Sequence, residues 1–194
     1  DAHCIVITGD LTHWGQPAAY RALKEHLAES SVPCHLVLGN HDDRAAFIET
    51  FGASFCDPHG FIQYGVTTDI GRFLILDTLQ QGQSQGILCS ERLAWLRTEL
   101  DDRSEPVFLF LHHPPFDCGI QQMDEIRLAN PEALWSILAP HRTRIQHLFY
   151  GHLHRPVSGS WRGIPASTVW STNHQVRLDR GQKDRLAGVL GPPA

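Results

Sequence analysis

The chain of 194 residues is long enough for one domain with a substantial buried core. Its hydrophobic fraction of 42% and charged fraction of 19% exclude an intrinsically disordered chain. Its net charge of −5 argues against the basic face that binds nucleic acid polymers, and no apolar run approaches the roughly 20 residues that cross a bilayer.

Five cysteines, Cys4, Cys34, Cys56, Cys89 and Cys118, form no Cys-x-x-Cys pair. Several of them lie in apolar, strand-like runs, where a reduced thiol behaves as a small hydrophobic group. We therefore expect reduced thiols and a cytoplasmic protein. The 13 histidines are the one unusual feature of the composition.

The first fifty residues alternate between strand and helix patterns. A β-branched run at 4–8, ended by Gly9, predicts a buried strand, and the apolar spacing at 17–29 predicts a helix. A second buried strand is predicted at 35–38, and a short helix at 43–51. This alternation predicts an α/β layered fold.

Similar patterns continue to about residue 170. The further predicted elements are strands at 61–67 and 72–77, a helix at 90–100, a strand at 107–111, a helix at 131–139, a strand at 145–150 and a hairpin at 157–170. We assign residues 1–180 to a single domain. The tail at 181–194 has no clear apolar period, and we expect it to be poorly ordered.

Four of the predicted strands end in polar clusters. These are Gly9-Asp10, Gly39-Asn40-His41-Asp42, His112-His113-Pro114-Pro115 and Gly151-His152-Leu153-His154. Any one of them could be an ordinary turn or a surface histidine. Four together suggest one site, because ligands bind at the carboxyl ends of strands in layered α/β sheets. Carboxylate, imidazole and amide oxygen suit divalent Mn, Fe, Co or Zn.

The same four motifs, in this order, resemble those of the calcineurin-like metallophosphoesterases. The spacing is most similar to that of the class III cyclic nucleotide phosphodiesterases and the related glycerophosphodiesterases, and the resemblance covers nearly all of residues 4–176. It implies an α/β/β/α sandwich of two mixed sheets flanked by helices. It also implies hydrolysis of a small phosphodiester by a metal-activated hydroxide, with two divalent metal ions in the intact protein.

The resemblance assigns roles to single residues. It makes Asp10 a carboxylate that bridges two metal ions, places Asn40, His112 and His152 on the second ion, and places His154 on the first.

Further roles lie beside the metal. His41 would contact the phosphate or protonate the leaving oxygen, and Asp42 would orient His41. His174 would bind substrate, the alternative being a plain surface histidine. We interpret His113 as a packing or hydrogen-bonding neighbour of a ligand.

One expected motif does not fit. Members of this family begin with a strand that ends in Asp-x-His and supplies two ligands to the first metal. Asp1-Ala2-His3 is a false match, because Asp1 precedes Asp10 on the same predicted strand by about 30 Å. We therefore expect that the first strand is missing, that this chain holds one metal ion better than two, and that it is weakly active or inactive.

Two alternatives stay open: a non-catalytic or weakly active module that binds metal or phosphate, and a phosphomonoesterase of the same superfamily. We expect no membrane partner and no nucleic acid polymer, and self-association is possible. The sequence names neither the metal nor the exact substrate.

Overall fold

Short strands and helices alternate through the computed structural model, which describes residues 2–176 and the strand at 188–190. The strands are β1 (Ile5–Ile7), β2 (Cys34–Leu36), β3 (Tyr64–Thr68), β4 (Gly71–Ile75), β5 (Val107–Phe110), β6 (Ile145–Phe149), β7 (Val157–Trp161), β8 (Ile164–Thr168), β9 (His174–Val176) and β10 (Gly188–Leu190). The α-helices are α1 (Pro17–Ala28), α2 (Arg44–Phe51), α3 (Ser90–Asp101), α4 (Gln121–Asp124) and α5 (Pro131–Leu138).

The largest sheet has six strands in the order β3-β4-β5-β6-β8-β7. Strands β4, β5, β6 and β8 are parallel, whereas the two outer strands are antiparallel to their neighbours. A separate parallel pair is formed by β1 and β2, and β9 pairs antiparallel with β10. Because the parallel strands run in one direction, their carboxyl ends lie at the same edge of the sheet.

Strand β5 shows how the layers pack, because its side chains alternate between two cores. Val107 and Leu109 belong to the core that includes residues of α3 and α5. Phe110 belongs to a second core, together with Val37 at the end of β2, and Phe108 packs against it. The larger sheet is therefore covered by helices on one face and by the β1–β2 pair on the other.

A third core packs α1 and α2 against the outer face of the β1–β2 pair. Tyr20 and Phe47 from the two helices are fully buried there with Leu36 of β2. The order of layers is helix, sheet, sheet, helix, and the predicted α/β/β/α sandwich is confirmed. Within the described residues only the six-stranded sheet is mixed, while the smaller ones are a parallel and an antiparallel pair.

Two predicted segments differ from the structure. Residues 61–63 do not join β3, because buried carboxylates take up the backbone N–H groups of the first two of them. Asp57 Oδ1 accepts from the backbone N–H of Phe61, and Asp77 Oδ2 from that of Ile62, at 2.9 Å each. In the predicted tail, residues 188–190 form β10, while 181–187 and 191–194 lie outside the described residues.

Among the described helices, none is both long enough and apolar enough to cross a membrane.

Candidate metal centre

Glycines let three strand ends approach one another closely. A Cβ atom at Gly39 would lie 2.1 Å from Asp10 Oδ1, and one at Gly9 would lie 2.3 Å from His112 Nδ1. A Cβ atom at Gly151 would lie 2.4 Å from the Thr8 carbonyl oxygen. Real Cβ atoms do not come this near to other atoms, so the turns need glycine at these places.

Three of the predicted ligands have left-handed backbone conformations. The φ angles are 54° at Asp10, 66° at His152 and 50° at His154. Such conformations cost roughly 1–3 kcal/mol in a non-glycine residue and cluster at functional sites. Here they turn the chain sharply after β1 and β6, so that the three side chains point toward the same region.

The imidazole of His112 lies at the centre of this region. Its Nδ1 lies 2.8 Å from the Thr8 carbonyl oxygen and therefore carries the hydrogen in the neutral ring, which leaves Nε2 with a lone pair. Around that Nε2 lie Asn40 Oδ1 and His152 Nδ1, both at 3.2 Å, and Asp10 Oδ1 at 3.4 Å.

The three distances measured from His112 Nε2 fit ligand atoms that share a metal ion. Ligand atoms about 2.0–2.2 Å from a tetrahedral ion lie about 3.3–3.6 Å from one another. His152 is only 5% exposed, and its Nε2 has no hydrogen-bond partner among the described residues. Burial, followed by the influence of His112, lowers the pKa of His152 to about 3, so the imidazole is neutral and available as a ligand.

Asp10 presents its two carboxylate oxygens to different histidines. Oδ1 faces His112 and accepts a hydrogen bond of 3.1 Å from the His41 backbone N–H, whereas Oδ2 lies 3.9 Å from His154 Nε2. Burial alone would raise the pKa of this carboxyl group, but His112, His154 and His41 together hold it well below its usual value. Asp10 is therefore ionised, and its two oxygens face different histidines.

The neighbouring His113 is close to this set but has no free lone pair. The ligand atoms of His112, His113 and His152 lie within 4.8 Å of one another. However, His113 Nε2 lies 3.2 Å from the Ser84 carbonyl and must donate to it, so Nδ1 accepts from the Thr78 hydroxyl at 2.7 Å. Burial keeps the pKa of His113 well below its usual value. His113 therefore holds the 80–86 loop and is poorly placed to bind a metal.

His41 is oriented by a group that the sequence analysis did not identify. Its Nδ1 lies 3.0 Å from the His13 carbonyl oxygen and donates to it, which leaves Nε2 for another partner. The His13 ring also stacks on the His41 ring, with centroids 5.2 Å apart. His13 lies three residues after Asp10, in the loop that follows a predicted site residue. That position was the only feature of the sequence that could have pointed to a role for His13 beside His41.

The prediction that Asp42 orients the His41 ring is wrong, because the hydrogen bonds of the Asp42 carboxylate go to other groups. Asp42 accepts from the backbone N–H groups of Leu11 and Thr12, at 3.1 Å each, and from that of Gly39 at 2.8 Å. It also accepts a bond of 2.8 Å from the Tyr20 hydroxyl. The side chain points into the interior, where burial raises its pKa to about 6, and it holds the loop after β1 instead of the imidazole.

His174 lies beside the predicted ligand set. It begins β9, and its ring centroid is 4.4 Å from that of His154. Partial burial, followed by the nearby His154, lowers its pKa.

The structure thus brings seven of the eight predicted site residues into one region. They are Asp10, Asn40, His41, Asp42, His112, His152 and His154, with His174 at the side. Asp1-Ala2-His3, the false match to the Asp-x-His motif, lies at the other end of β1 from the site. His3 precedes β1 whereas Asp10 follows it, and Asp1 lies outside the described residues.

Comparison with known proteins places this geometry in context. The model of the calcineurin-like phosphoesterase family matches residues 1–156. The chain is 43% identical over 198 residues to a probable cyclic nucleotide phosphodiesterase of Rhodopseudomonas palustris, covering 100% of this chain and 72% of the relative. It is 31% identical over 178 residues to the glycerophosphodiester phosphodiesterase GpdQ of Enterobacter lignolyticus, covering 89% of this chain and 63% of that protein.

Solved structures agree on the fold. A dimetal phosphatase from Danio rerio superposes with a TM-score of 0.67 at 22% identity, covering 86% of this chain and 71% of that chain. The chain spans about two thirds of the length of the two curated relatives named above.

Proposed function

The chain belongs to the calcineurin-like phosphoesterase family, and we propose that it is a metal-dependent phosphodiesterase acting on cyclic nucleotides or small glycerol-type phosphodiesters. The observation that carries the proposal is the lone pair of His112 Nε2, which lies 3.2 Å from an amide oxygen and 3.4 Å from a carboxylate oxygen. These electron-rich atoms repel one another unless a proton or a metal ion lies between them, and a metal ion can bind all of them at once.

We assign one divalent ion to Asp10, Asn40, His112 and His152. Asp10 Oδ2 and His154 would contribute to a second ion. Mn, Fe, Co or Zn suits this mixture of oxygen and nitrogen ligands, and no cysteine is needed. When bound, such ions lower the pKa of water and polarise the oxygens of a phosphoryl group.

The chain's own groups would complete the reaction. The His13 carbonyl holds Nδ1 and the orientation of the His41 ring, so that Nε2 is the ring atom left to deliver a proton to a phosphoryl oxygen or to the leaving oxygen. Asp42 would act less directly, since it holds the loop that carries this carbonyl. His174 would contact the part of the substrate beyond the phosphate.

A cytoplasmic location is part of the proposal. All five cysteines are unpaired, as expected for a reducing compartment.

The proposal is tested by metal titration combined with turnover. We expect the metal-loaded protein to hydrolyse bis(p-nitrophenyl) phosphate faster than p-nitrophenyl phosphate, and Asp10→Asn to lower kcat at least about 100-fold, because the neutral amide supplies one acceptor oxygen where the carboxylate supplies two. Asp69→Asn, in the exposed turn between β3 and β4, is the matched control and should keep wild-type turnover.

Other outcomes would favour the alternatives. Metal binding without turnover of either compound would indicate a non-catalytic module. Faster hydrolysis of p-nitrophenyl phosphate would indicate a phosphomonoesterase.

A further inference from the structure

An exposed tryptophan stands beside the histidine that we assign to the phosphate. The Trp14 side chain is 72% exposed, the highest value among the large hydrophobic residues described as exposed, equalled only by Val169. Its ring packs edge-on against His13, with centroids 4.4 Å apart, and lies 6.1 Å from the His41 ring. A large apolar surface is thus left in water at the edge of the site.

The backbone under this ring is held firmly in place. Thr12 donates its backbone N–H to Asp42 Oδ1 at 3.1 Å, and its hydroxyl oxygen accepts from the Gly15 N–H at 2.8 Å. Gly15 has φ of 67°, and a Cβ atom there would lie 2.5 Å from Asp43 Cβ. The turn at 12–15 is therefore fixed, and Trp14 is presented without needing to be ordered by a ligand.

We infer that Trp14 is the base-stacking residue of the site and that it favours cyclic nucleotides over glycerol-type diesters as substrate. This rests on the proposed function. A purine joined to the phosphate through ribose offers a flat π-surface, and stacking on an aromatic side chain stabilises any base regardless of its hydrogen-bonding edge. A glycerol group has no such surface.

The rings around Trp14 argue against a quaternary ammonium group as the occupant. Such cations are bound over tryptophan in cages of several aromatic rings. The rings nearest to Trp14 in the described residues are the imidazoles of His13 and His41, and no second indole, phenol or phenyl ring lies against it there. Choline of a glycerophosphodiester is therefore disfavoured relative to an uncharged purine.

The test compares substrates in Trp14→Ala and Trp14→Phe. For cyclic AMP and cyclic GMP, we expect Trp14→Ala to lower kcat/KM by about 5- to 100-fold, mainly through KM, and Trp14→Phe to recover most of the loss. Turnover of glycerophosphoglycerol, which has neither a base nor a cation, should change less than about twofold. Ile70→Ala, another exposed apolar residue but in the β3–β4 turn, is the control and should affect no substrate.

A binding measurement makes the inference independent of turnover. Titration of the metal-loaded protein with 5′-AMP should quench tryptophan fluorescence in the wild type and not in Trp14→Phe, while glycerol 3-phosphate should quench neither. If the wild type hydrolyses no diester, the proposed function fails, and this titration still decides whether Trp14 stacks on a base.

Three results would overturn the inference while leaving the diesterase activity intact. One is an equal loss in Trp14→Ala for nucleotides and for glycerophosphoglycerol. Another is a loss confined to glycerophosphocholine, which would indicate cation binding. The last is fluorescence that 5′-AMP leaves unchanged in the wild type.

Discussion

At the scale of single residues, the site depends on how close its atoms can come. Gly39 is the tightest case, because the space of its missing Cβ is filled by Asp10 Oδ1 at 2.1 Å and by His112 Cε1 at 2.8 Å. The same small residue that forms the turn also allows two proposed ligands to face the same ion. Turn and ligand geometry therefore cannot be changed independently.

Gly39→Ala should weaken metal binding at least about tenfold, because the new methyl group must displace Asp10 or the backbone beside it. Isothermal titration with Zn²⁺ or Mn²⁺ measures the effect. Gly159→Ala is the matched control: a Cβ atom there meets nothing within 4 Å, so metal affinity should not change. Wild-type affinity in Gly39→Ala would show that Asp10 and His112 can adjust.

At the scale of elements, helix α1 and the loop after β1 form one unit through Tyr20. The Tyr20 hydroxyl donates to Asp42 Oδ1 at 2.8 Å and accepts from the Asp43 backbone N–H at 2.9 Å. Asp42 in turn holds Leu11 and Thr12. A helix on the outer layer of the sandwich thus fixes the loop whose carbonyl orients His41.

Tyr20→Phe should lower the free energy of unfolding by about 1–3 kcal/mol, because the buried Asp42 loses one of its donors and the partly buried Asp43 N–H loses its acceptor. We also expect kcat to fall several-fold, with metal affinity nearly unchanged, since the loop and not the ligands is loosened. Urea unfolding and steady-state kinetics measure the two effects. Tyr150→Phe, which removes only a long bond of 3.4 Å to Val157, is the control. Unchanged kcat in Tyr20→Phe would show that catalysis does not depend on how firmly the loop after β1 is held.

At the scale of the whole molecule, the proposed metal ligands come from different layers. Asp10 and Asn40 follow the β1–β2 pair, while His112 and His152 follow strands of the six-stranded sheet. A bound ion would therefore connect the two sheets directly, in addition to the apolar core between them. Binding to the folded state alone stabilises that state by mass action.

The melting temperature should therefore rise with metal concentration. At 100 times the Kd the gain is about 2.7 kcal/mol, which corresponds to about 5–10 °C for a chain of this size. Differential scanning fluorimetry with and without EDTA measures it. His112→Ala should abolish the metal-dependent rise whatever its effect on the metal-free protein, and a full rise in that variant would contradict the ligand assignment.

Much of this protein could be predicted from local patterns. Buried strands of four or five apolar residues and glycine turns are set by neighbours in sequence, so the α/β alternation and the four polar strand ends were visible. The parallel arrangement then requires the carboxyl ends to meet at one edge. The positions of Asp10, Asn40, His112, His152 and His154 followed from these features and from the resemblance.

The tertiary structure decided which atoms of those residues are available to bind a metal ion or a substrate. The Nε2 atom of His112 is free because its Nδ1 is bonded to Thr8, 104 residues away in sequence. His113, one residue further, is satisfied by Thr78 and Ser84 instead. Asp42 points into the interior and accepts a hydrogen bond from Tyr20, while the His13 carbonyl accepts one from the His41 ring. No local pattern contains such partners, because they are brought together only when the layers pack.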